Sequence, residues 1–457
     1  MELFFLLIWL DLSLSMIVLP FKTVYVNKNG QIDKNSKEYN STHFMNDYFN
    51  ASLYTTIKIG NPSQEMKVML TYQDCGFIIG QDKKCANDAQ YLSQYNSHKS
   101  TDFSYTDLYT IPVGYEFDEG CSAVDSMYLY KDLNKKNYEN IKKVDFYLGS
   151  DTNAPICAII GFKMDQSDSY CRNLSFINNL KARKTIDNYN WIIKYESNNE
   201  GSIIIGANMK DVIPNFNEQY AYRVYSRLIG GTYPWSFNID EMIVGNKDAS
   251  FTGNDRWIEI DNDFSFLVGN NEYNKYIHEK YFNDLIAQNI CTETEWYHEY
   301  NRYYNIIECD KEKIKKEFID NFPSISFINK DLTAPIIFEG KELFTETKYK
   351  YFFNVMFAKY GAGLWIFGKL FLKKYFVMIN LNQKLIEIYI NKEESNMEKS
   401  STSLKTFLMI FGVIVLLCIT GVLSYILGKK LNQIRKKSAN ELDDEYEYIQ
   451  KNIVNDN

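Results

Sequence analysis

Two stretches of the chain carry an apolar strand into a polar turn that holds an acid: KVMLTYQDCGF with Asp74, and WIEIDNDFSFLVG with Asp261 and Asp263. Each is followed later by a short apolar run ending in glycine, PICAIIG and then GLWIFG. Taken singly, an Asp in such a place is a turn former. Two carboxylates brought together from two such turns do more. Repulsion keeps one protonated while the other is ionised, which fits the pair to act as general acid and general base. Other chemistries find little support. GLWIFGKL, residues 363–370, nearly spells a phosphate loop, but Leu370 replaces the metal-binding hydroxyl and the interior is strand-like. There is no G-x-S-x-G elbow, and His278 and His298 lie in polar sequence without a metal-ligand partner, so both read as surface residues. Only four histidines are present, and no metal and no cofactor is expected.

Positioning such turns is a task for strands. YTTIKIGNPSQEMKVML, GSIIIGAN, SFNIDEMIVGN, PSISFI and YFVMINLNQKLIEIYI alternate or run apolar at strand length between Gly, Asn and Asp turns, which predicts a mainly β fold. Helices are expected over Asn271 to Gln288 and over Lys311 to Phe322, the latter closed by Pro323. A length of 457 residues calls for two lobes, and 45% hydrophobic with 24% charged residues excludes disorder for most of the chain. The formal net charge of -8 gives no attraction for phosphate backbones, so no nucleic-acid partner is expected.

The two ends fix an expected topology. Residues 1–20 read as a secretory signal, with a cut after the small pair Ser13 and Ser15, followed by a short pro or linker segment over 21–45. TFLMIFGVIVLLCITGVLSYILG, residues 406–428, slightly exceeds the roughly 20 apolar residues that span a bilayer. A polar stalk, 393–405, precedes this transmembrane helix. Lys429, Lys430, Arg435, Lys436 and Lys437 follow it, placing the 429–457 tail in the cytosol and the rest in a lumenal or extracellular space. Cys75, Cys85, Cys121, Cys157, Cys171, Cys291 and Cys309 would mostly pair in that oxidising compartment, their odd count leaving one thiol over. Sequons begin at Asn40, Asn50 and Asn173. In the tail, Tyr446 and Ile449 of EYEYI resemble a tyrosine-based sorting signal read by a trafficking adaptor, which predicts cycling in the secretory or endolysosomal pathway.

One family gathers these pieces. YTTIKIGNPSQEMKVML resembles the opening of the pepsin-like aspartic proteases (peptidase A1), where such a strand leads into the first Asp-Thr-Gly. NSHKSTDF, GCSAVDSM, AIIGF, GSIIIGANM, YPWSFNIDEMIVGN, IEIDNDFSFL, FPSISF and LWIFGKLFLKKYFVMINLNQKLIEIYI continue the family's series in order, over roughly Tyr54 to Ile390. The resemblance implies a bilobal pepsin-like fold, with an N-terminal lobe over 46–220 and a C-terminal lobe over 221–392, and points to membrane-anchored plasmepsin-like relatives. It also implies disulfides Cys291 with Cys309 and Cys75 with Cys85. Asp261 falls on the second catalytic Asp and Ser265 matches, whereas Asp263 stands on the family's Gly and Phe264 on its Thr. Counting from Gly60 puts Thr71 on the first catalytic Asp, and Thr71 cannot act as a carboxylate base. Asp74, three residues late, is the candidate substitute. Val113 falls on the flap tyrosine, with Tyr115 as its candidate replacement, and Lys369 replaces the acid after the last Gly. The expectation is a pseudoprotease that binds a polypeptide or partner protein in the cleft between its lobes; the alternative is an active aspartic endopeptidase using Asp261 with Asp74.

Overall fold

Along Gln64–Thr71 the side chains of Met66, Val68 and Leu70 are buried while Glu65 and Lys67 face solvent, the period-two pattern of a half-buried strand. This strand pairs antiparallel with Ala51–Ile59, and the turn between them begins at Gly60, whose φ of 91° suits glycine. The computed structural model describes residues 15–25, 33–49, 51–72, 76–80, 95–113, 117–150, 158–162, 175–226, 235–246, 249–252, 257–298, 302–332, 334–358, 364–390 and 427–431. Residues 1–390 form one compact unit and 391–457 another.

The twofold echo of the sequence is a repeated piece of architecture. Gln64–Thr71 runs parallel to Ala158–Gly161, with Thr71 opposite Gly161, and Phe77–Gly80 returns antiparallel along the other edge of that same strand. In the second lobe Trp257–Ile260 runs parallel to Leu364–Phe367, and Leu267–Gly269 returns antiparallel along it. Both returning strands enter at matching registers, Phe77 with Ile160 and Leu267 with Phe367. The two turns have the same length, so Thr71 and Asp261 hold equivalent places. Gly368 is needed here: a Cβ on it would stand 2.2 Å from the Phe264 carbonyl oxygen.

Sheets of 13, 9 and 4 strands carry these turns among the described residues. The largest joins the lobes, because Ala221–Tyr225, Phe376–Asn380 and Leu385–Tyr389 add to Asn190–Tyr195 and the N-terminal strands. Trp191, Trp235 and Trp365 are among the largest fully buried side chains of the described residues. The expected helices form as Asn271–Ile277, a π-helical turn His278–Phe282 and Asn283–Ala287, and as Lys316–Asp320. Cys291 and Cys309 are bonded at the base of the Cys291–His298 and Arg302–Asp310 hairpin.

The N-terminal boundaries need correction. Ile17–Tyr25 is a strand between Glu200–Ile205 and Ala51–Ile59, with Ile17, Val18 and Leu19 in the core, so 17–20 belong to the folded sheet rather than to a signal. Nor is 21–45 simply a linker. The helix Ser41–Phe49 buries Phe44 and Met45, with Tyr39 just before it, against Phe264, Phe266 and Phe352 of the second lobe. The stalk, residues 406–426 of the expected span, most of the tail and the Cys75–Cys85 pair lie outside the described residues. Among the described residues no helix is long and apolar enough to cross a membrane.

Candidate functional site

The two equivalent turns meet through side chains. Thr71 Oγ1 donates to Asp263 Oδ2 at 3.0 Å, a hydrogen bond between lobes, and the same carboxylate accepts the backbone N–H of Tyr72. Asp261, 7% exposed, accepts the Asp263 backbone N–H on Oδ1 at 2.9 Å. The supporting strands hold both turns from behind: Phe162 N–H donates to the Thr71 carbonyl at 2.9 Å, Asp261 N–H to the Phe367 carbonyl at 3.1 Å, and Lys369 N–H to the Phe264 carbonyl at 2.7 Å. Trp235 Nε1 reaches the Phe162 carbonyl at 3.4 Å and closes the floor between the lobes.

Burial makes the electrostatics unusual. Desolvation, with the Asp263 charge next, holds the Asp261 carboxyl well above the usual carboxylate range. Burial also pushes Asp263 up to about 6, opposed by the Lys369 cation and the Thr71 hydrogen bond. Lys369 is itself buried, which pulls its ammonium down to about 8 despite the two carboxylates. Between these values Asp263 is ionised and Lys369 charged, beside an Asp261 carboxyl that burial and the Asp263 charge bias toward its protonated form. Tyr72 and Tyr195 are held above the usual phenol range by burial, and Asp263 acts on both. Among the described residues their hydroxyls and both side-chain polar atoms of buried Asn262 find no hydrogen-bond partner.

The structure thus brings Thr71 and Asp261 to one place, as counting suggests, and adds two residues that counting misjudges. Asp263 and Lys369 look in sequence like a lost glycine and a lost acid. The legible signal is that the two replacements are opposite in charge. Asp74 and Tyr115 lie outside the described residues. Val113 pairs with Phe117 at the end of the hairpin Ser104–Val113 and Phe117–Tyr130. The expectation that His278 is a surface residue is corrected: its Nε2 lies 3.4 Å from Glu293 on the disulfide hairpin, with the side chain 15% exposed. No group of three or more metal-ligating side chains occurs among the described residues.

Comparison with known proteins agrees with this architecture. No curated protein sequence matches the chain. Among solved structures, the basic 7S globulin from soybean superposes with a TM-score of 0.55 at 11% identity, covering 83% of this chain and 96% of the globulin, a likeness of fold alone. The family model for eukaryotic aspartyl proteases matches residues 52–389, and the chain, with its two like turns meeting at a buried carboxylate site, belongs to that family.

Proposed function

We propose that this protein is a membrane-tethered, pepsin-like polypeptide-binding protein of the secretory or endolysosomal pathway that has lost the family's acid pair drawn from both lobes. One observation carries the reading: Thr71 stands in the place equivalent to Asp261, and it gives that place a hydroxyl that donates to Asp263. A hydroxyl tied to a carboxylate cannot serve as the second general acid or base. Asp74 does not restore the pair by count, because in turns of equal length it stands opposite Phe264. The cleft scaffold is meanwhile intact, with both supporting strands and the Phe117–Tyr130 hairpin strand in place. The membrane anchor at 406–428, the lumenal ectodomain and an adaptor at Tyr446 and Ile449 complete the proposal on sequence grounds.

The test is equilibrium binding of a fluorescent peptide library to the full chain in detergent, read by anisotropy. Saturable binding that the same peptide, unlabelled, displaces supports the reading. Absence of saturable binding by folded, disulfide-bonded protein overturns the reading.

A further inference from the structure

The loss of the first-lobe acid does not leave the centre with one carboxyl group. Asp263 Oδ2 lies one hydrogen bond from Thr71 Oγ1, so a carboxylate stands beside the place that the first lobe leaves without one. We propose that Asp261 and Asp263, two residues of a single turn, act together as the general acid and general base of a slow peptide hydrolysis. The inference rests on the polypeptide-binding reading and adds chemistry to it.

Three observations converge on this pair. The carboxyls are positioned from different sides: Asp261 is fixed by the Asp263 backbone N–H, while Asp263 is held from the first lobe by the Thr71 hydroxyl and the Tyr72 amide. Their exposure also differs, with Asp261 buried and Asp263 keeping some surface to solvent, where a base must meet water. Tyr72, Tyr195 and Asn262 add unpartnered buried polar atoms that favour hydration next to the turn.

The electrostatics assign the roles. Groups acting on the pair are Glu259, Lys369, Tyr72 and Tyr195, with Lys373 acting on Lys369. Lys369 lowers both carboxyls, yet Asp261 stays well above the usual range and Asp263 settles at about 6. Asp263, which keeps surface to solvent and can meet water, is the base, and the more deeply buried Asp261 the acid. Asp263 takes a proton from water as its oxygen bonds to the peptide carbonyl carbon, and Asp261 gives its proton to the carbonyl oxygen, leaving a neutral gem-diol. Asp263 then passes its proton to the amide nitrogen as the C–N bond breaks. A gem-diol hydroxyl returns a proton to Asp261 as the carboxylic acid forms. Because the base must be ionised, the rate rises with pH through about 6.

The experiment incubates the full chain with the binding peptides from pH 5 to 8 and reads new termini by mass spectrometry. Expected are cleavage with an ascending limb near pH 6, and loss of rate by about a hundredfold or more in both Asp261→Asn and Asp263→Asn, with peptide affinity within about threefold of the parent. Lys369→Met moves the ascending limb to higher pH, a change that a purely structural role for Asp263 would not produce. Three results overturn the proposal: peptide binding without cleavage, cleavage that survives Asp263→Asn, and cleavage abolished by Asp74→Asn. Failure to bind peptide overturns the binding reading as well, so the two failures are told apart.

Discussion

At the residue scale, the site sets Thr71 of the first lobe against Asp263 of the second, with Asp261 in the same turn and Lys369 buried. This arrangement has a signature in stability. Asp263 keeps its proton up to about 6 in the folded chain against an ordinary value near 3.8, so the folded state binds more protons in that window and its stability falls as pH rises through it. Lys369 titrates at about 8 against 10.5, so the unfolded state holds more protons there and stability climbs again as pH rises from about 8. Thermal stability should fall as pH rises through about 6, with the raised Asp261 carboxyl adding to the fall, and Asp263→Asn should remove its own share of that fall, roughly 1–3 kcal/mol. A fall unchanged in Asp263→Asn would assign the titration elsewhere. Thr71→Val removes the donor that lowers Asp263; its carboxyl should titrate higher by NMR, and the chain should lose about 1–3 kcal/mol. Thr71 and Asp261 could be found by counting because strand and turn lengths are local. The partnership of Thr71 with Asp263 could not, since it joins residues 192 apart in sequence.

At the scale of elements, the same distinction between local and remote decides what was legible. Alternation along Gln64–Thr71 and the apolar runs AIIG and LWIF reveal the strands that hold the two turns, because period and glycine are written in neighbouring residues. Residues 33–45 gave no such pattern and read as part of a short pro or linker segment. Their order comes from partners far along the chain: Phe44 stacks on Phe352 at 4.0 Å and on Phe266 at 5.0 Å, and Ser41 donates from its backbone at 2.5 Å and its hydroxyl at 2.6 Å to Glu308. Lys350 holds the other oxygen of that carboxylate at 2.6 Å, and Trp296 Nε1 donates to Asn46 at 3.1 Å. This helix therefore closes the apolar face that Phe264 and Phe266 present next to Asp261. Phe44→Ala should cost about 3–5 kcal/mol in chemical denaturation, and Ser41→Ala about 1 kcal/mol, because Glu308 keeps the Ser41 backbone N–H and Lys350. If Phe44→Ala leaves the midpoint unchanged, the helix is not bearing on the second lobe.

At the scale of the whole molecule, the lobes are joined three ways: by the strands that return from the second lobe to the large sheet, by Trp235 reaching the Phe162 carbonyl, and by the hydrogen bond from Thr71 to Asp263. A unit so joined presents its cleft as one object. The proposed membrane tethering makes a definite prediction about the side that cleft faces: a disulfide such as Cys291 with Cys309 calls for an oxidising space, and the basic run from Lys429 to Lys437 after the apolar 406–428 segment calls for a cytosolic tail. In sealed microsomes, added protease should remove a tag placed after Asn457 and leave a fragment of ectodomain size protected until detergent is added. The protected fragment should migrate differently with and without reductant, and the Cys291→Ser, Cys309→Ser double variant should lose the Cys291–Cys309 share of that difference and about 3 kcal/mol of stability. A tag that stays protected would put the cleft in the cytosol, where reducing conditions would also leave its disulfide without a maker, and the proposed place in the secretory pathway would fall with it.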